Sequence, residues 1–431
     1  MAGHLEARLK LSRLLPEGAR LRDGRWQRVV VLAGTETISW GILYYTFSVL
    51  MLPMQVSLDA SRGEVSTAFS TAIVMRALAA PAAGAWVDRH GVRSLMTAGS
   101  IAGVLLTFAW SSVTSVVQLT IVFAGIGVVT AMVLYEPAFA AVARWMSGTD
   151  RASAVLWITI AGGLASTIFL PLAATLTDAF GWREALRWLA VVLLLGTALP
   201  HALFLKEPTG EVTTGPAPAG VPAAVPRAEP SVTAQEALRD PVFWWMTLAF
   251  MCGRAPMAAI VAHLPALLVE RGETATLAAV LTGSIGALSV TGRVLMTIAA
   301  RWTSFAAMLA TVYAIQAAGL VLIALVPTRP AVIAFVIAFG IGFGTTTIAK
   351  PVMVAGRFGP RAYGVIAGYT AALVTFGEAA SPVAVGIARD VAGDYLGALV
   401  VLAALMLLGS YASYRCRPGP AAPFTVTSTS D

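Results

Sequence analysis

The sequence predicts an all-α integral membrane protein with twelve transmembrane helices in two six-helix bundles. Hydrophobic residues make up 58% of the 431 residues and charged residues only 12%, whereas a soluble protein carries about 25% charged residues. The mean hydropathy of +0.79 is too high for a water-soluble chain. Twelve apolar runs approach or exceed the roughly 20 residues that a helix needs to cross a bilayer. A Pro-, Ala- and Thr-rich segment separates the sixth run from the seventh.

The apolar runs set the expected helices in chain order. Each begins and ends near charged, Gly or Pro residues, and the third and fourth are separated only by Ser111, Ser112 and nearby polar residues. The expected spans are 29–56, 64–87, 94–113, 116–145, 152–176, 184–206, 241–268, 274–300, 303–326, 329–355, 362–388 and 394–414.

The distribution of Lys and Arg predicts the orientation. With the N-terminus inside, cytoplasmic segments hold 19 basic residues and external loops hold 6, which is the asymmetry that the positive-inside rule requires. We therefore expect a plasma (inner) membrane protein with both termini in the cytoplasm. Its parts are a basic N-terminal segment (1–28), two bundles (29–206 and 241–414), a linker (207–240) and a tail (415–431).

A residue pattern that occurs twice in the sequence supports two related halves. Gly127, Tyr135-Glu136-Pro137 and Arg144 follow one another in the fourth span, and Gly342, Ala349-Lys350-Pro351 and Arg357 do so in the tenth. The Gly-to-Pro separations are ten and nine residues, and the Pro-to-Arg separations are seven and six. The fourth and tenth helices hold equivalent positions if the bundles are repeats. Because each Pro removes a backbone donor, it permits a bend in its helix.

A charged hairpin joins the second and third spans. It reads Gly84-Ala-Trp-Val-Asp88-Arg89-His-Gly91-Val-Arg93. This pattern resembles the signature loop between helices 2 and 3 of the major facilitator superfamily, and every fixed position is present. The resemblance implies the major facilitator fold and the activity of a transporter. Asp88 is then expected to contact the start of the eleventh helix and to control the conformational cycle.

Charged residues inside the spans indicate what is transported. A charge at the bilayer centre costs on the order of 3 kcal/mol, so such a residue by default faces a cavity. Glu36 lies nearer the end of the first span and is interpreted as interfacial. The deep cations outnumber the deep anions by two, which favours an anionic substrate. The deep residues are Arg76, Arg254, Arg293, Lys350, Glu136 and Glu378.

Further motifs resemble the monocarboxylate and oxalate–formate carriers of this superfamily. Ser289-Val-Thr-Gly292-Arg293 is similar to their arginine-bearing eighth helix, and Tyr44-Tyr45-Thr-Phe47 to their first. The resemblance implies that Arg293 binds a carboxylate, with Arg254, Arg76, Tyr44 and Tyr45 as further substrate-binding candidates. This sequence lacks the lysines that relatives carry in the first and eleventh spans, and Glu378 stands in the eleventh instead. Alternatively, Arg254 bonds backbone carbonyls and Arg293 extends to the membrane surface.

These observations predict a secondary carrier of a small organic anion, a carboxylate, coupled to protons through Glu378, because burial disfavours the charged form of an acid. A static pairing of Glu378 with an arginine is the alternative. Glu136 and Lys350 are expected to form a gate pair, unless Lys350 binds substrate or each charge pairs within its own half. A multidrug or metabolite efflux carrier and a non-transporting membrane sensor remain as alternative functions.

Other classes of protein lack support in the sequence. We expect no enzyme activity, cofactor, metal site or nucleic-acid partner, since no Walker A, nucleophile-elbow or metal-ligand pattern is present. The expected partners are the substrate, protons and the lipid bilayer, and the expected state is a monomer.

Overall fold

A computed structural model describes residues 24–146, 148–205, 233–299, 302–358 and 363–416. Most of the N-terminal segment, linker and tail predicted above therefore lies outside the described residues. Twelve helices within the described ranges are long and apolar enough to cross a membrane. They are α1 (Gly24–Leu58), α2 (Arg62–His90), α3 (Val92–Ser111), α4 (Val116–Trp145), α5 (Gly148–Gly163 and Ala165–Phe180), α6 (Trp182–Phe204), α7 (Pro241–Glu270), α8 (Ala275–Ala299), α9 (Phe305–Leu325), α10 (Arg329–Phe358), α11 (Tyr363–Ala392) and α12 (Leu396–Arg415).

The predicted all-helical fold with twelve spans is confirmed, and each observed helix begins and ends within five residues of its predicted bounds. Local sequence explains the ends. Ser61 caps α2 through a capping box with Glu64, and Asp240 caps α7, whose first residue is Pro241. These residues satisfy backbone N–H groups that a helix start leaves without intrahelical partners.

Two helices are interrupted inside the membrane. Residues Gly41–Tyr45 of α1 form a π-helical turn, and α4 breaks at Leu134, where the backbone is extended. Pro137 explains the second interruption, because it donates no hydrogen bond to the carbonyl of Val133 and its ring crowds that carbonyl. The helix beside Lys350 has no such interruption: α10 continues as one helix from Arg329 to Phe358.

Since twelve helices alternate in direction, Gly24 and Arg415 lie at the same side of the bundle, which we call the terminal face; the other side is the opposite face. The two halves meet mainly toward the opposite face. There the Thr46–Leu58 part of α1 packs on α7, and the Ala165–Phe180 part of α5 packs along α8. The Gly148–Gly163 part of α5 contacts α8 far less. The halves thus separate toward the terminal face.

Candidate functional site

A cavity of about 1130 Å³ lies between the halves. On α10 its lining runs from Phe343 to Lys350, and on α11 from Gly368 to Ala380, so it extends from mid-membrane toward the terminal face. Five predicted substrate-binding residues and three predicted coupling or gating residues line this one cavity, although they come from seven different helices. They are Tyr44, Tyr45, Arg76, Glu136, Arg254, Arg293, Lys350 and Glu378.

The centre of the site is a carboxylate held by two arginines. Arg254 of α7 donates from Nη2 to Glu378 Oε1 at 2.6 Å and from Nε to Oε2 at 3.4 Å. Arg76 of α2 reaches the same Oε1 at 3.4 Å. The Glu378 side chain is only 5% exposed, so its charge is compensated by these guanidinium groups. The cluster joins α2 of the first half to α7 and α11 of the second.

The π-helical turn of α1 presents two consecutive tyrosines to this cluster. The phenol of Tyr44 interacts electrostatically with the charges of Glu378, Arg254 and Arg76. The phenol of Tyr45 interacts with those of Arg254 and Arg293. Such turns are frequent at functional sites because they re-aim neighbouring side chains.

The start of that turn has to be glycine. A Cβ at Gly41 would lie 2.2 Å from the ring of Phe169 on α5. Close packing of α1 on α5 therefore fixes the π-helical turn from behind.

Arg293 connects the halves at another wall of the cavity. It is 5% exposed, and its Nη1 donates to the carbonyl oxygen of Thr159 on α5 at 2.8 Å. Gly163 permits this approach, since a Cβ there would lie 2.7 Å from Nη1. The guanidinium of Arg293 therefore reaches from α8 into the discontinuity of α5 at Leu164, beside the cavity.

The predicted gate residues face the same space. Glu136 is exposed in the cavity and Lys350 is partly buried. Their charges act on each other, yet among the described ion pairs none joins these two side chains. Together with the arginines and Glu378, the lining holds four cations and two carboxylates. The formal surplus of two positive charges is the one expected from the sequence.

Glu36 was expected near the membrane interface, and the structure shows in addition that its side chain is enclosed by the helices. It is 0% exposed. The helix begins at Gly24, five residues before the predicted start. At 1.5 Å per residue, Glu36 therefore lies about 18 Å along α1 rather than about 10 Å.

A network of hydrogen bonds and ion pairs at the opposite face was not predicted from the sequence. Asp390 of α11 accepts hydrogen bonds from the backbone N–H groups of Arg62 (3.1 Å) and Gly63 (2.7 Å) at the start of α2. Arg62, which is 4% exposed, pairs with Glu270 of α7 at 2.7 Å and donates to Tyr395 Oη. The sequence showed only charged loop ends, and the one signal was the Ser61-Arg62-Gly63 start of α2.

The hairpin between α2 and α3 is a tight turn at the terminal face. Gly91 has φ +78°, a conformation that favours glycine. Arg93 Nε donates to the carbonyl of Ala202 at 2.8 Å, near the end of α6, where carbonyls lack intrahelical partners. Arg89 is exposed, and a Cβ at Gly84 would meet no neighbour. The Asp88 side chain lies outside the described residues, so its contact with α11 stays a prediction.

Comparison with known proteins agrees with this architecture. The family model described as Major Facilitator Superfamily matches residues 34–382. Monocarboxylate transporter 11 of Homo sapiens is 24% identical over 423 residues, covering 92% of this chain and 84% of that protein. Two crystal structures of a bacterial homolog of the human lysosomal transporter Spinster, both inward-facing, superpose with a TM-score of 0.70. They are 16% and 15% identical, cover 93% and 92% of this chain, and are themselves covered to 100% and 99%.

Proposed function

The chain belongs to the major facilitator superfamily of membrane transporters, and we propose that it carries a small carboxylate together with protons. The observation that carries the proposal is the cavity with four cations and two carboxylates between the halves. A carboxylate would complete the charge pairing there, and guanidinium groups bind carboxylates through two parallel hydrogen bonds. The similarity to a monocarboxylate transporter points to the same substrate class.

The contacts of Glu378 suggest how substrate and proton are coupled. In this structure its carboxylate occupies the hydrogen-bonding edge of Arg254 and also reaches Arg76. A substrate carboxylate needs the same edge, and two adjacent carboxylates repel each other. Protonation of Glu378 would weaken its hold on Arg254 and leave that guanidinium for the substrate. One proton and one carboxylate would then move together, which is symport.

Three further residues complete the proposed site. Tyr44 faces the Glu378 cluster, and Tyr45 lies between the charges of Arg254 and Arg293. The phenol of each can donate to a bound carboxylate. Arg293 would exchange its hydrogen bond to the Thr159 carbonyl for a stronger one to the charged substrate. Substrate binding would thereby pull on α5 and α8, which belong to different halves.

Alternating access would result if the terminal face and the opposite face open and close in turn. Lys and Arg are concentrated in the segments of the terminal face, so we assign that face to the cytoplasm of a plasma (inner) membrane. The conformation described here is then open to the cytoplasm and closed by the Arg62–Asp390 network. In the outward-open state the terminal ends of α4 and α10 would close, and Glu136 and Lys350 would pair as a gate. We propose that a monomer divided into bundles 29–206 and 241–414 suffices for this cycle.

Transport in proteoliposomes tests the proposal. The full chain is reconstituted and uptake of labelled aliphatic and aromatic monocarboxylates is measured with and without a pH gradient. Gradient-driven accumulation of at least one carboxylate is expected. Accumulation or extrusion of lipophilic cations instead would favour an efflux carrier, for which the aromatic lining residues Trp40, Tyr135 and Phe250 would form the binding surface. Specific binding without any flux would favour a sensor.

A matched pair of variants tests the coupling. Glu378→Gln fixes the side chain in a neutral form, so we expect it to abolish accumulation driven by protons while exchange of substrate for substrate continues. Glu184→Gln is the control, because Glu184 is exposed and pairs only within its own helix with Arg187. Loss of exchange together with accumulation in Glu378→Gln would instead indicate the static structural pairing.

A further inference from the structure

The first half contains a second deep carboxyl group in a different setting from Glu378. Glu36 of α1 is fully buried, and within the described residues neither of its carboxylate oxygens has a hydrogen-bond partner. The indole of Trp40, one turn further along α1, interacts with the carboxyl group, but the geometry of the two groups is not that of a hydrogen bond. The Ser39 hydroxyl on the same side of the helix also lacks a partner. A carboxyl group without compensation therefore lies inside the membrane-spanning part of α1.

The break in α4 places another carboxylate beside it. The second part of α4 begins at Tyr135, so Glu136 stands in the first turn of a helix, and it is exposed in the cavity. Glu136 and Tyr135 both act electrostatically with Glu36. The rings of Tyr135 and Trp40 lie 5.2 Å apart, centroid to centroid. Both rings line the cavity, whereas Glu36 is absent from its described lining and lies behind them.

Among the ion pairs of the described residues, none joins Glu36 to another charged group around this part of α1. The elements packed against it are the terminal-face halves of α4, α5 and α6. Arg25 and Arg28 lie on α1 itself toward the terminal face, and Arg28 stacks over Trp145. The titratable residues of those elements are Tyr135, Glu136 and Arg144 on α4, Asp150 and Arg151 on α5, and His201 on α6. The His201 ring is engaged by Ser100 and by the Met96 carbonyl.

An ionised carboxyl group in this setting would be unpaired and would also face the negative charge of Glu136. Burying such a charge without a partner is far more costly than burying the neutral acid. From this geometry we infer that Glu36 is a proton-binding site of the first half, reached from the cavity through Glu136. A proton from cavity water binds Glu136 and then passes to Glu36: one O–H bond breaks as the other forms, and Glu136 returns to its charged form.

This site differs from the proposed coupling at Glu378 in what releases the proton. Glu378 gives up its arginines when it binds a proton, whereas no described residue offers Glu36 a cation to pair with after the proton leaves. Glu36 would therefore release its proton when α4 moves and its carboxyl group gains access to water. Its role in transport rests on the proposed function, but the presence of the proton does not.

Infrared spectroscopy of the purified full chain in lipid nanodiscs tests the inference without substrate. The probe is the proton itself: a protonated carboxyl group has a carbonyl stretch apart from the amide bands, and the stretch shifts in D₂O. We expect wild type at neutral pH to show such a band and Glu36→Gln to lose it. Glu378→Gln is the matched control and should keep the band, because Glu378 is held as a carboxylate by two arginines.

Two further variants keep the test decisive. Glu36→Asp retains a carboxyl group and should restore a band, which separates proton binding from a general effect of the substitution on folding. In Glu136→Gln the band should remain but its shift after transfer to D₂O should slow several-fold. Persistence of the wild-type band in Glu36→Gln would overturn the site. Wild-type exchange kinetics in Glu136→Gln would overturn the access route.

The infrared result and the transport result can fail separately. A Glu36 band in a protein that moves no carboxylate would contradict the proposed function while supporting the proton site. Carboxylate symport in a protein without the band would do the reverse.

Discussion

Asp390 offers the sharpest test of how the halves are held together. Its carboxylate caps the first two backbone N–H groups of α2, and Ser61 caps the third through Glu64 N. The start of α2 is therefore completed by a residue 327 positions away from Gly63 in the other half. These hydrogen bonds exist only while the halves are closed at the opposite face. Removing them should favour opening of that face.

The magnitude follows from the two hydrogen bonds. Each hydrogen bond to a partly exposed carboxylate contributes on the order of 1 kcal/mol. Asp390→Ala removes both, so the closed state should lose about 2 kcal/mol, which shifts the closed-to-open ratio by roughly 30-fold. Asp390→Asn keeps one neutral acceptor, so it should lose about 1 kcal/mol, a shift of about fivefold.

A distance measurement across the opposite face reads this ratio. Spin labels are attached to Ser112→Cys in the first half and Thr328→Cys in the second, both at exposed positions. The native thiols are removed by Cys252→Ala and Cys416→Ser. Double electron–electron resonance should then show a larger population at long distance for Asp390→Asn, and a still larger one for Asp390→Ala.

The control variant is Asp394→Ala. Asp394 caps Leu396 N at the start of α12 at 2.9 Å, at the same face but within one half. It should lower the thermal stability of the protein without lengthening the label distance. A wild-type distance distribution in Asp390→Ala, or an equal lengthening in Asp394→Ala, would refute the assignment of Asp390 as a contact that closes this face.

Three further expectations concern the cavity and the hairpin. Arg293→Lys keeps the charge but loses the planar guanidinium group that can form two parallel hydrogen bonds. Carboxylate affinity should therefore fall about tenfold or more, because a hydrogen bond to a charged group contributes about 1.5–3 kcal/mol. Unchanged affinity in equilibrium binding would remove Arg293 from the site. Glu136→Lys and Lys350→Glu should each impair uptake, whereas the double swap should partly restore it; a double variant no better than the worse single one would exclude the gate pair. Asp88→Asn should reduce the transport rate severely and leave substrate affinity within a few-fold, and a wild-type rate would contradict a role for Asp88 in the conformational cycle.

Much of the fold could be predicted because its signals are local. A span is recognised from about 20 consecutive apolar residues, and its start from a cap such as Ser61 or Asp240. The hairpin Gly91 was readable because a one-residue turn with positive φ demands glycine. The break of α4 followed from Pro137, whose effect reaches only four residues back along its own helix.

Local signals also indicate which residues line the cavity, but they do not indicate which of these residues pair with each other. The cost of a charge in the membrane places Arg76, Arg254 and Glu378 in a cavity. Which of them touch depends on the rotation and tilt of α2, α7 and α11. Pro351 shows the limit, since it matches Pro137 in sequence, yet α10 continues as one helix where α4 is interrupted at Leu134.

The sequence by itself therefore determined the twelve helices, the excess of positive charge in the cavity and the membership of the superfamily. Only the tertiary structure decided that Glu378 joins arginines from both halves, that Asp390 caps a helix of the other half, and that Glu36 lies buried with no hydrogen-bond partner among the described residues. The physical reason is the distance along the chain over which each interaction acts. Hydrophobic length and capping act over a few neighbouring residues, whereas these side chains meet across more than 100 positions and only where packed helices bring them together.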